Sequence, residues 1–336
     1  MNTPDLPRIA VGGLGGTIAM KPAQSGEGAS PGLTAEDLVA AVPELASLAR
    51  IETRSLANVA SPSLTCNNLL ETFVWADGAV RDGVRGVVVT HGTDTLEESS
   101  FLLDLLWPHE APLVFTGAMR SARMAGAEGP ANLLAAVQVA NSAEARGMGV
   151  LACLNDTVHI ASRVTKTASM ALETFAAPGY GPLGQVVEGV FRRDWLPAAA
   201  RLAPLAPPPP GPILAAMLEA PFDDDGRLIE LVHGAGYRGL VIAGAGVGHA
   251  SVPATEAITR AIADGVVVVV ASRTLRGGTA RRLYGYPGSE SDLISRGAIM
   301  AGTLSARKAR LLLHVLLGNG ASREAIAAEF AARGQG

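Results

Sequence analysis

The chain has 336 residues, enough for about two domains of ~150 residues each. Apolar residues make up 48% of it, so a large core can form, and the formal net charge of −4 gives no basic footprint for nucleic acid. The longest aliphatic run, Val266–Val270, is far shorter than the ~20 residues that a membrane-spanning helix needs. We therefore expect no nucleic-acid partner and no membrane partner.

The N-terminal residues show no charged start followed by an apolar core, so we predict a cytoplasmic protein. A mature periplasmic protein would begin in the same way. The two cysteines, Cys66 and Cys153, form neither a disulfide framework nor a metal-binding spacing. We predict that both are reduced thiols, that Cys153 is a core residue, and that the protein holds no metal.

Strands and helices alternate along the first 150 residues. The first strand, 8–12, ends in the glycine-rich turn Gly12-Gly13-Leu14-Gly15-Gly16, and the segment 20–34 after it has the composition of a lid or binding loop. The further predicted strands are 50–59, 86–89, 112–116 and 149–154, and the predicted helices are 35–42, 67–81, 96–106 and 132–142. Thr34 with Asp37, and Thr95 with Glu98, have the spacing of capping boxes.

A run of four prolines, Pro207–Pro210, favours an extended connection, so we place a linker at 201–212. The alternation then resumes with predicted strands 213–217, 239–243 and 266–271 and helices 226–234, 254–263, 305–317 and 323–332. We predict an α/β protein with a large N-terminal parallel-sheet domain, residues 1–200, and a smaller C-terminal α/β domain, residues 213–336. Neither glycine-rich turn, at 12–16 or 244–248, fits G-x-G-x-x-G, so we expect no dinucleotide.

Hydroxyl and charged side chains follow several of these strands. Thr17 follows the first glycine turn, Ser61 follows the second strand, and Thr93 and Asp94 follow the third. Ligands of open α/β sheets bind at this carboxyl edge. The alternative is that these residues only cap helices and satisfy backbone donors.

Lysine is rare in this chain: Lys21, Lys166 and Lys308 are its only lysines. Lys166 stands among hydroxyls in Val164-Thr165-Lys166-Thr167. A threonine hydroxyl needs a base before it can act as a nucleophile, and a buried lysine that loses its charge would serve in a Thr–Lys–Asp relay. A surface lysine is the plainer interpretation. We interpret His91 as structural, since a polar turn readily satisfies an imidazole.

An ordered set of motifs spans nearly the whole chain. These motifs are 15–19 (GGTIA), 89–98 (VTHGTDTLEE), 115–120 (FTGAMR), 129–133 (GPxNL), 154–156 (LND), 164–167 (VTKT), 181–184 (GPLG), 301–304 (AGTL) and 308–310 (KAR). In this set the sequence resembles the bacterial-type L-asparaginases.

The resemblance implies hydrolysis of L-asparagine to L-aspartate and ammonia through a threonine acyl-enzyme, with no cofactor. Thr17 corresponds to the nucleophile, and Thr93, Asp94 and Lys166 to the second threonine, the aspartate and the lysine of the family. The implied substrate-binding residues are Gly16, Ser61, Pro62, Gly92, Thr93, Asp94 and Ala118. Ser61 would bind the α-carboxylate, Asp94 the α-amino group, and the main-chain N–H groups near Thr93 and Ala118 the amide oxygen.

The resemblance also implies a homotetramer of intimate dimers in which a neighbouring subunit completes each site. His249 falls where the neighbour usually supplies asparagine; a plain helix-entry role is the alternative. Tyr284 matches the neighbour's acidic position by spacing, and Glu290 by chemistry. The family's usual lid tyrosine is missing, because no tyrosine precedes Tyr180. We therefore hypothesise that Tyr284 or Tyr286 of a partner replaces it. Where the family commonly has Gln or Glu after the serine, this chain has Pro62.

Other functions stay open at this point. An amidase of this fold with altered substrate would act on glutamine, D-asparagine or another β-amide, because the choice between Asn and Gln rests on about one methylene, ~1–3 kcal/mol. An amidotransferase subunit that supplies ammonia for tRNA-dependent amidation would want a tRNA-facing domain and a basic surface. A non-catalytic small-molecule binding protein of this fold would be expected to lack the residues Thr17, Thr93, Asp94 and Lys166.

Overall fold

The computed structural model describes residues 6–21, 30–122, 124–197 and 201–335. The chain divides into two compact units, residues 1–204 and 205–336, and the boundary lies in the proline-rich segment. Within the described ranges no helix is both long enough and apolar enough to cross a membrane.

The N-terminal unit is built around an eight-stranded sheet. The described strands of the unit are β1 (Arg8–Gly15), β2 (Met20–Lys21), β3 (Ser30–Pro31), β4 (Arg50–Val59), β5 (Gly86–Thr90), β6 (Leu113–Thr116), β7 (Val150–Leu154), β8 (Thr157–Ile160), β9 (Thr165–Lys166), β10 (Phe175–Ala176), β11 (Gly184–Val187) and β12 (Val190–Arg193). The helices are α1 (Ala35–Ala40), α2 (Leu45–Leu48), α3 (Cys66–Arg81), α4 (Leu96–Leu106) and α5 (Gly129–Asn141). The order across the main sheet is β12-β11-β8-β7-β6-β5-β1-β4.

The strands β4, β1, β5, β6 and β7 run parallel, as predicted. Val87, Val88 and Val89 of β5 are fully buried between β1 and β6, which is what a β-branched run in a central parallel strand requires. Helices connect these strands and bury apolar faces on the sheet, so that Cys153 lies in the core. The carboxyl ends of β1, β5 and β6 therefore come to one edge of the sheet.

One side of the sheet differs from the prediction, which held only parallel strands. Strands β8, β11 and β12 extend it in antiparallel pairs beyond β7. Two-residue turns produce this change: Asn155 and Asp156 both have positive φ between β7 and β8, and Glu188 and Gly189 do between β11 and β12. Positive φ at both central residues is typical of the type I′ turn that closes a hairpin.

Of the two predicted capping boxes, the one at α1 is confirmed and the one at α4 is wrong. The Thr34 hydroxyl accepts the Asp37 N–H at 3.1 Å, and the Asp37 carboxylate accepts the Thr34 N–H at 2.9 Å. Thr95 makes no such bond. Its hydroxyl donates instead to the Ser61 carbonyl at 3.0 Å, so it joins two turns rather than capping its helix.

The C-terminal unit has a four-stranded parallel sheet in the order β13-β14-β15-β16. Its elements are β13 (Ala215–Glu219), α6 (Arg227–Gly234), β14 (Gly239–Gly244), α7 (Val252–Ala263), β15 (Val267–Ser272), α8 (Glu290–Ser295), β16 (Ile299–Met300), α9 (Ala306–Gly318) and α10 (Arg323–Arg333). The predicted fold class, with a smaller C-terminal α/β unit, is confirmed. The short elements α8 and β16 were not predicted.

Candidate active site

The turns after β1 and β5 touch each other at two glycines. A Cβ placed on Gly16 would lie 2.2 Å from the Gly92 Cα and 2.3 Å from the Gly92 nitrogen. Gly16 also has a φ of 82°, a conformation that side chains disfavour. Only glycine allows the two backbones to approach this closely, so this contact places Thr17 beside Thr93.

Thr17 begins a short 3₁₀ turn, 17–19, whose N-cap is Gly16. The alternative role of Thr17 as a helix cap is therefore not what the structure shows. The hydroxyl of Thr17 is half-buried and makes no hydrogen bond with any of the described residues. This hydroxyl is available to a substrate.

Ser61 is buried and lies against the turn after β5. A Cβ on Gly92 would lie 2.7 Å from its Oγ. The bond from Thr95 to the Ser61 carbonyl fixes the turn after β4 to the turn after β5. Pro62 is exposed and offers no polar side-chain atom.

Lys166 joins the two polar residues that follow β5. Its Nζ lies 3.0 Å from Thr93 Oγ1 and 2.7 Å from Asp94 Oδ1. The side chains of Lys166 and Asp94 are 13% and 64% exposed, and Thr93 is 5% exposed. Lys166 is thus no free surface lysine: its Nζ lies between a buried hydroxyl and a carboxylate that is open to solvent.

Four buried residues in these turns, Gly92, Thr93, Gly117 and Ala118, have a backbone N–H without an acceptor among the described residues. Thr93 and Ala118 are the two that the resemblance places at the amide oxygen. Native structures rarely leave buried N–H groups unpaired, and each exception needs an explanation. A pair of such donors is suited to bind an oxyanion.

The turn that holds Ala118 is fixed from the outside. The Asn132 amide donates to the Gly117 carbonyl at 2.9 Å, and its oxygen accepts the Asn155 N–H at 2.8 Å. The Glu128 carboxylate accepts the backbone N–H of Met119. These bonds orient the turn without using the Ala118 N–H.

His91 lies fully buried beneath the site and packs on Phe115, with ring centroids 5.7 Å apart. Its Nδ1 is 2.6 Å from the Gly92 carbonyl and must therefore donate, which leaves Nε2 without a proton and without a partner among the described residues. Burial lowers the pKa of His91 to about 4. A neutral, enclosed imidazole of this kind supports the turn, as the structural interpretation expects.

The predicted neighbour-subunit residues form one cluster in the C-terminal unit. The Tyr286 hydroxyl is 2.7 Å from His249 Nδ1, and His249 Nε2 is 3.1 Å from Glu290 Oε2. The other Glu290 oxygen accepts the backbone N–H groups of Leu283 and Tyr284, at 2.5 and 2.7 Å. The Glu290 side chain is 0% exposed, whereas Tyr284 and Tyr286 are exposed.

Glu290 therefore presents no oxygen at the surface of its own unit. Burial raises its pKa, but the backbone N–H groups of Tyr284 and Leu283 outweigh this effect, so the pKa lies below its usual value. Because a carboxylate can only accept, His249 donates Nε2–H to Glu290, and its Nδ1 faces the Tyr286 hydroxyl. The exposed end of this chain is the phenol of Tyr286.

The predicted lid lies mostly outside the described residues, which omit 22–29. Its two ends pair as the short antiparallel strands β2 and β3.

Three residues that support the site were not predicted from the sequence: Glu97, Glu128 and Asn132. Asn132 and Glu97 were noticed only as parts of the motifs 129–133 and 89–98. Their bonds to Lys166, Met119 and Gly117 cross 9 to 69 positions of the chain. No periodicity singles out Glu97, because Ser100 and Asp104 on the same helical face are polar too.

Comparison with known proteins gives a consistent result. The model of the N-terminal asparaginase domain matches residues 8–197, and that of the glutaminase/asparaginase C-terminal domain matches residues 216–330. A probable periplasmic L-asparaginase of Haemophilus influenzae is 35% identical over 94% of this chain and 90% of its own length. L-asparaginase 2 of Escherichia coli is 32% identical over 93% and 89%.

A glutaminase-asparaginase of Pseudomonas fluorescens is 31% identical, over 93% of this chain and 86% of its own length. Among solved structures, a probable cytoplasmic L-asparaginase of Campylobacter jejuni superposes with a TM-score of 0.84 at 30% identity, covering 97% of this chain and 99% of that one. With both domain models matched in order and relatives above 30% identity over nearly the full length, the chain belongs to the asparaginase family.

Proposed function

We propose that this protein hydrolyses L-asparagine to L-aspartate and ammonia, with Thr17 as the nucleophile of an acyl-enzyme. The observation that carries the proposal is the Lys166 Nζ, which bonds Thr93 and Asp94 in the turn that touches the turn of Thr17. The Thr17 hydroxyl has no hydrogen-bond partner among the described residues. Family membership supports the same reaction, since the relatives named above are L-asparaginases or glutaminase-asparaginases.

The proposed reaction has two halves. The Thr17 oxygen attacks the side-chain amide carbon, and the carbonyl electrons move to the oxygen, which the N–H groups of Thr93 and Ala118 bind. The Thr93–Lys166–Asp94 relay takes the threonine proton and returns it to the leaving nitrogen, so that the C–N bond breaks and ammonia departs. Water then attacks the ester, which releases aspartate and restores the Thr17 hydroxyl.

The substrate's other groups find partners in the same turns. The open carboxylate of Asp94 suits the α-amino group, and Ser61 suits the α-carboxylate. Glutamine is the second substrate to consider, because one relative is named a glutaminase-asparaginase. One extra methylene separates the two amides, so we expect glutamine to be hydrolysed ~10–200-fold less efficiently.

The first experiment measures ammonia release from L-asparagine, L-glutamine and D-asparagine, for the wild type, Thr17→Ala and Thr17→Ser. We expect release from L-asparagine that is lost in Thr17→Ala. Hydroxylamine added to the wild type should divert the acyl-enzyme to aspartyl hydroxamate. Full activity in Thr17→Ala would refute the nucleophile, and no release from any amide by the wild type would refute the proposed reaction.

We further propose that the protein is a homo-oligomer, a tetramer of intimate dimers, in which the cluster of His249, Tyr284, Tyr286 and Glu290 from one subunit completes the site of its neighbour. Two observations support this proposal. The phenols of Tyr284 and Tyr286 are exposed, and His249, which also bonds Glu290, orients the hydroxyl of Tyr286. The phenol of Tyr286 then replaces the missing lid tyrosine.

A complementation experiment tests this arrangement. Chains carrying Thr17→Ala and chains carrying Tyr286→Phe are co-expressed with different tags, and the mixed oligomer is isolated. A mixed dimer contains one site with an intact Thr17 and an intact neighbouring tyrosine, so its activity should exceed that of either parent. Full kcat/KM in both Tyr284→Phe and Tyr286→Phe would show that neither phenol is needed.

A further inference from the structure

A buried carboxylate lies at the entrance of α4, next to the candidate relay. Glu97 is the second residue of that helix and is only 1% exposed. Its Oε2 accepts the backbone N–H of Lys166 at 2.6 Å and also the hydroxyl of Thr165. Both donors belong to β9.

Burying a glutamate is unfavourable unless its charge is compensated, and Glu is among the residues least often fully buried. Here an N–H and an O–H converge on one carboxylate oxygen. The first turn of a helix also stabilises a negative charge through the helix dipole. The two donors and the helix N-terminus together compensate the burial of the Glu97 carboxylate.

The strand that carries Lys166 has little support of its own. β9 consists of two residues and, among the described strands, pairs only with the two residues of β10, outside the main sheet. A strand this short does not hold a long side chain in place. The bond from Glu97 connects it to the same stretch of chain that supplies Thr93 and Asp94.

Lys166 is thus bound at both ends by one short segment, 93–97. Thr93 and Asp94 bind its Nζ, and Glu97 binds its backbone nitrogen. The direction of the lysine side chain therefore depends on segment 93–97 rather than on β9.

We propose that Glu97 is a positioning residue, which holds Lys166 in line with Thr93 and Asp94. Its catalytic consequence rests on the proposed function, whereas its effect on the geometry of Lys166 does not. Removing the carboxylate should therefore lower kcat and leave KM for L-asparagine nearly unchanged.

Two variants separate the charge of Glu97 from its hydrogen bonds. Glu97→Gln retains an oxygen that accepts both donors, and Glu97→Met retains only the volume. Since charge-assisted bonds are about twice as strong as neutral ones, we expect kcat to fall ~10-fold in Glu97→Gln. We expect a fall of ~10²-fold or more in Glu97→Met, the scale of a 1 Å misplacement. The matched control is Glu173→Gln, which removes an exposed carboxylate two residues before β10 and should behave as the wild type.

The small number of lysines permits a readout that does not depend on activity. Protein labelled with ¹³Cε-lysine gives three side-chain signals, from Lys21, Lys166 and Lys308. Lys166→Arg identifies the signal of Lys166. A fixed side chain shows two distinct Hε shifts, and a mobile one shows a single averaged shift. We expect two shifts for Lys166 in the wild type and in Glu173→Gln, and one in Glu97→Met. Because Lys308 lies in the other unit, a wild-type near-UV circular dichroism spectrum serves as the evidence that the variant is folded.

The outcomes distinguish the two proposals. If the Lys166 signal keeps its two shifts in Glu97→Met, the positioning role is wrong, whatever happens to kcat. If that signal collapses but the wild type hydrolyses no amide, the positioning role holds and the proposed function fails. Should Glu97→Met not fold, Glu97→Gln decides: unchanged kcat and an unchanged Lys166 signal would overturn the proposal.

Discussion

The close contact of Gly16 with Gly92 makes a quantitative prediction for Gly16→Ala. Two carbon atoms normally approach to ~3.5–4.0 Å, whereas the added methyl would stand 2.2 Å from the Gly92 Cα. The turns after β1 and β5 must then separate by more than ~1 Å. A misplacement of this size costs ~10²-fold in rate, or ~2.7 kcal/mol in activation free energy. We expect kcat for L-asparagine to fall at least that far.

The backbone strain at Gly16 needs its own control, because alanine at a positive φ is unfavourable wherever it is placed. Gly236 has the same φ of 82° and no atom within 4 Å of an added Cβ. Gly236→Ala should therefore lose ~1–2 kcal/mol of stability and keep full activity. Both variants are assayed for ammonia release and for the free energy of unfolding in urea. Wild-type kcat in Gly16→Ala would show that the turns separate without consequence.

Two further predictions concern stability. The pKa of His91 is lowered from 6.5 to about 4, so the unfolded chain takes up a proton before the native chain does. As pH falls from 6.5 to 4, the wild type should therefore lose ~3 kcal/mol of unfolding free energy relative to His91→Gln. An equal difference between wild type and variant at pH 7 and pH 4, measured by urea unfolding, would contradict this. Thr34→Ala removes the hydroxyl of the capping box at α1 and should cost ~1 kcal/mol of stability, measured by thermal unfolding. Thr95→Ala removes no cap, so it should leave the stability of α4 unaffected and loosen the turn at Ser61. An equal loss of amide hydrogen-exchange protection in α1 of the first variant and α4 of the second would show that the distinction is wrong.

Periodicity predicted the long central elements well. The bounds predicted for the second strand and for the third helix are those of β4 and α4. Both are long or strongly apolar segments, in which side-chain burial dominates. The antiparallel strands β8, β11 and β12 were missed because a strand of four residues carries no usable period, and because their direction is set by two-residue turns.

The residues of the candidate site could be selected from the sequence, but their contacts could not. Thr17, Thr93 and Lys166 stood out by chemistry, since hydroxyls followed strands and lysine was rare. That Glu97 binds Lys166 depends on tertiary packing across 69 positions, and that Thr95 bonds Ser61 rather than its own helix depends on the local backbone. Sequence patterns describe which side of an element is buried, and they do not describe which polar partners meet there.

The two unpartnered N–H groups of Thr93 and Ala118 also have a consequence for protein engineering. Without a protein acceptor, each of these N–H groups forgoes the ~0.5–1.5 kcal/mol that an intramolecular hydrogen bond typically contributes to stability. A substitution that supplied an acceptor would raise the melting temperature and occupy the position of the reacting oxygen. Searches for thermostable variants should therefore select changes at these turns that also lower turnover. Stabilising substitutions without that loss are better sought at the exposed two-residue hairpin turns, 155–156 and 188–189.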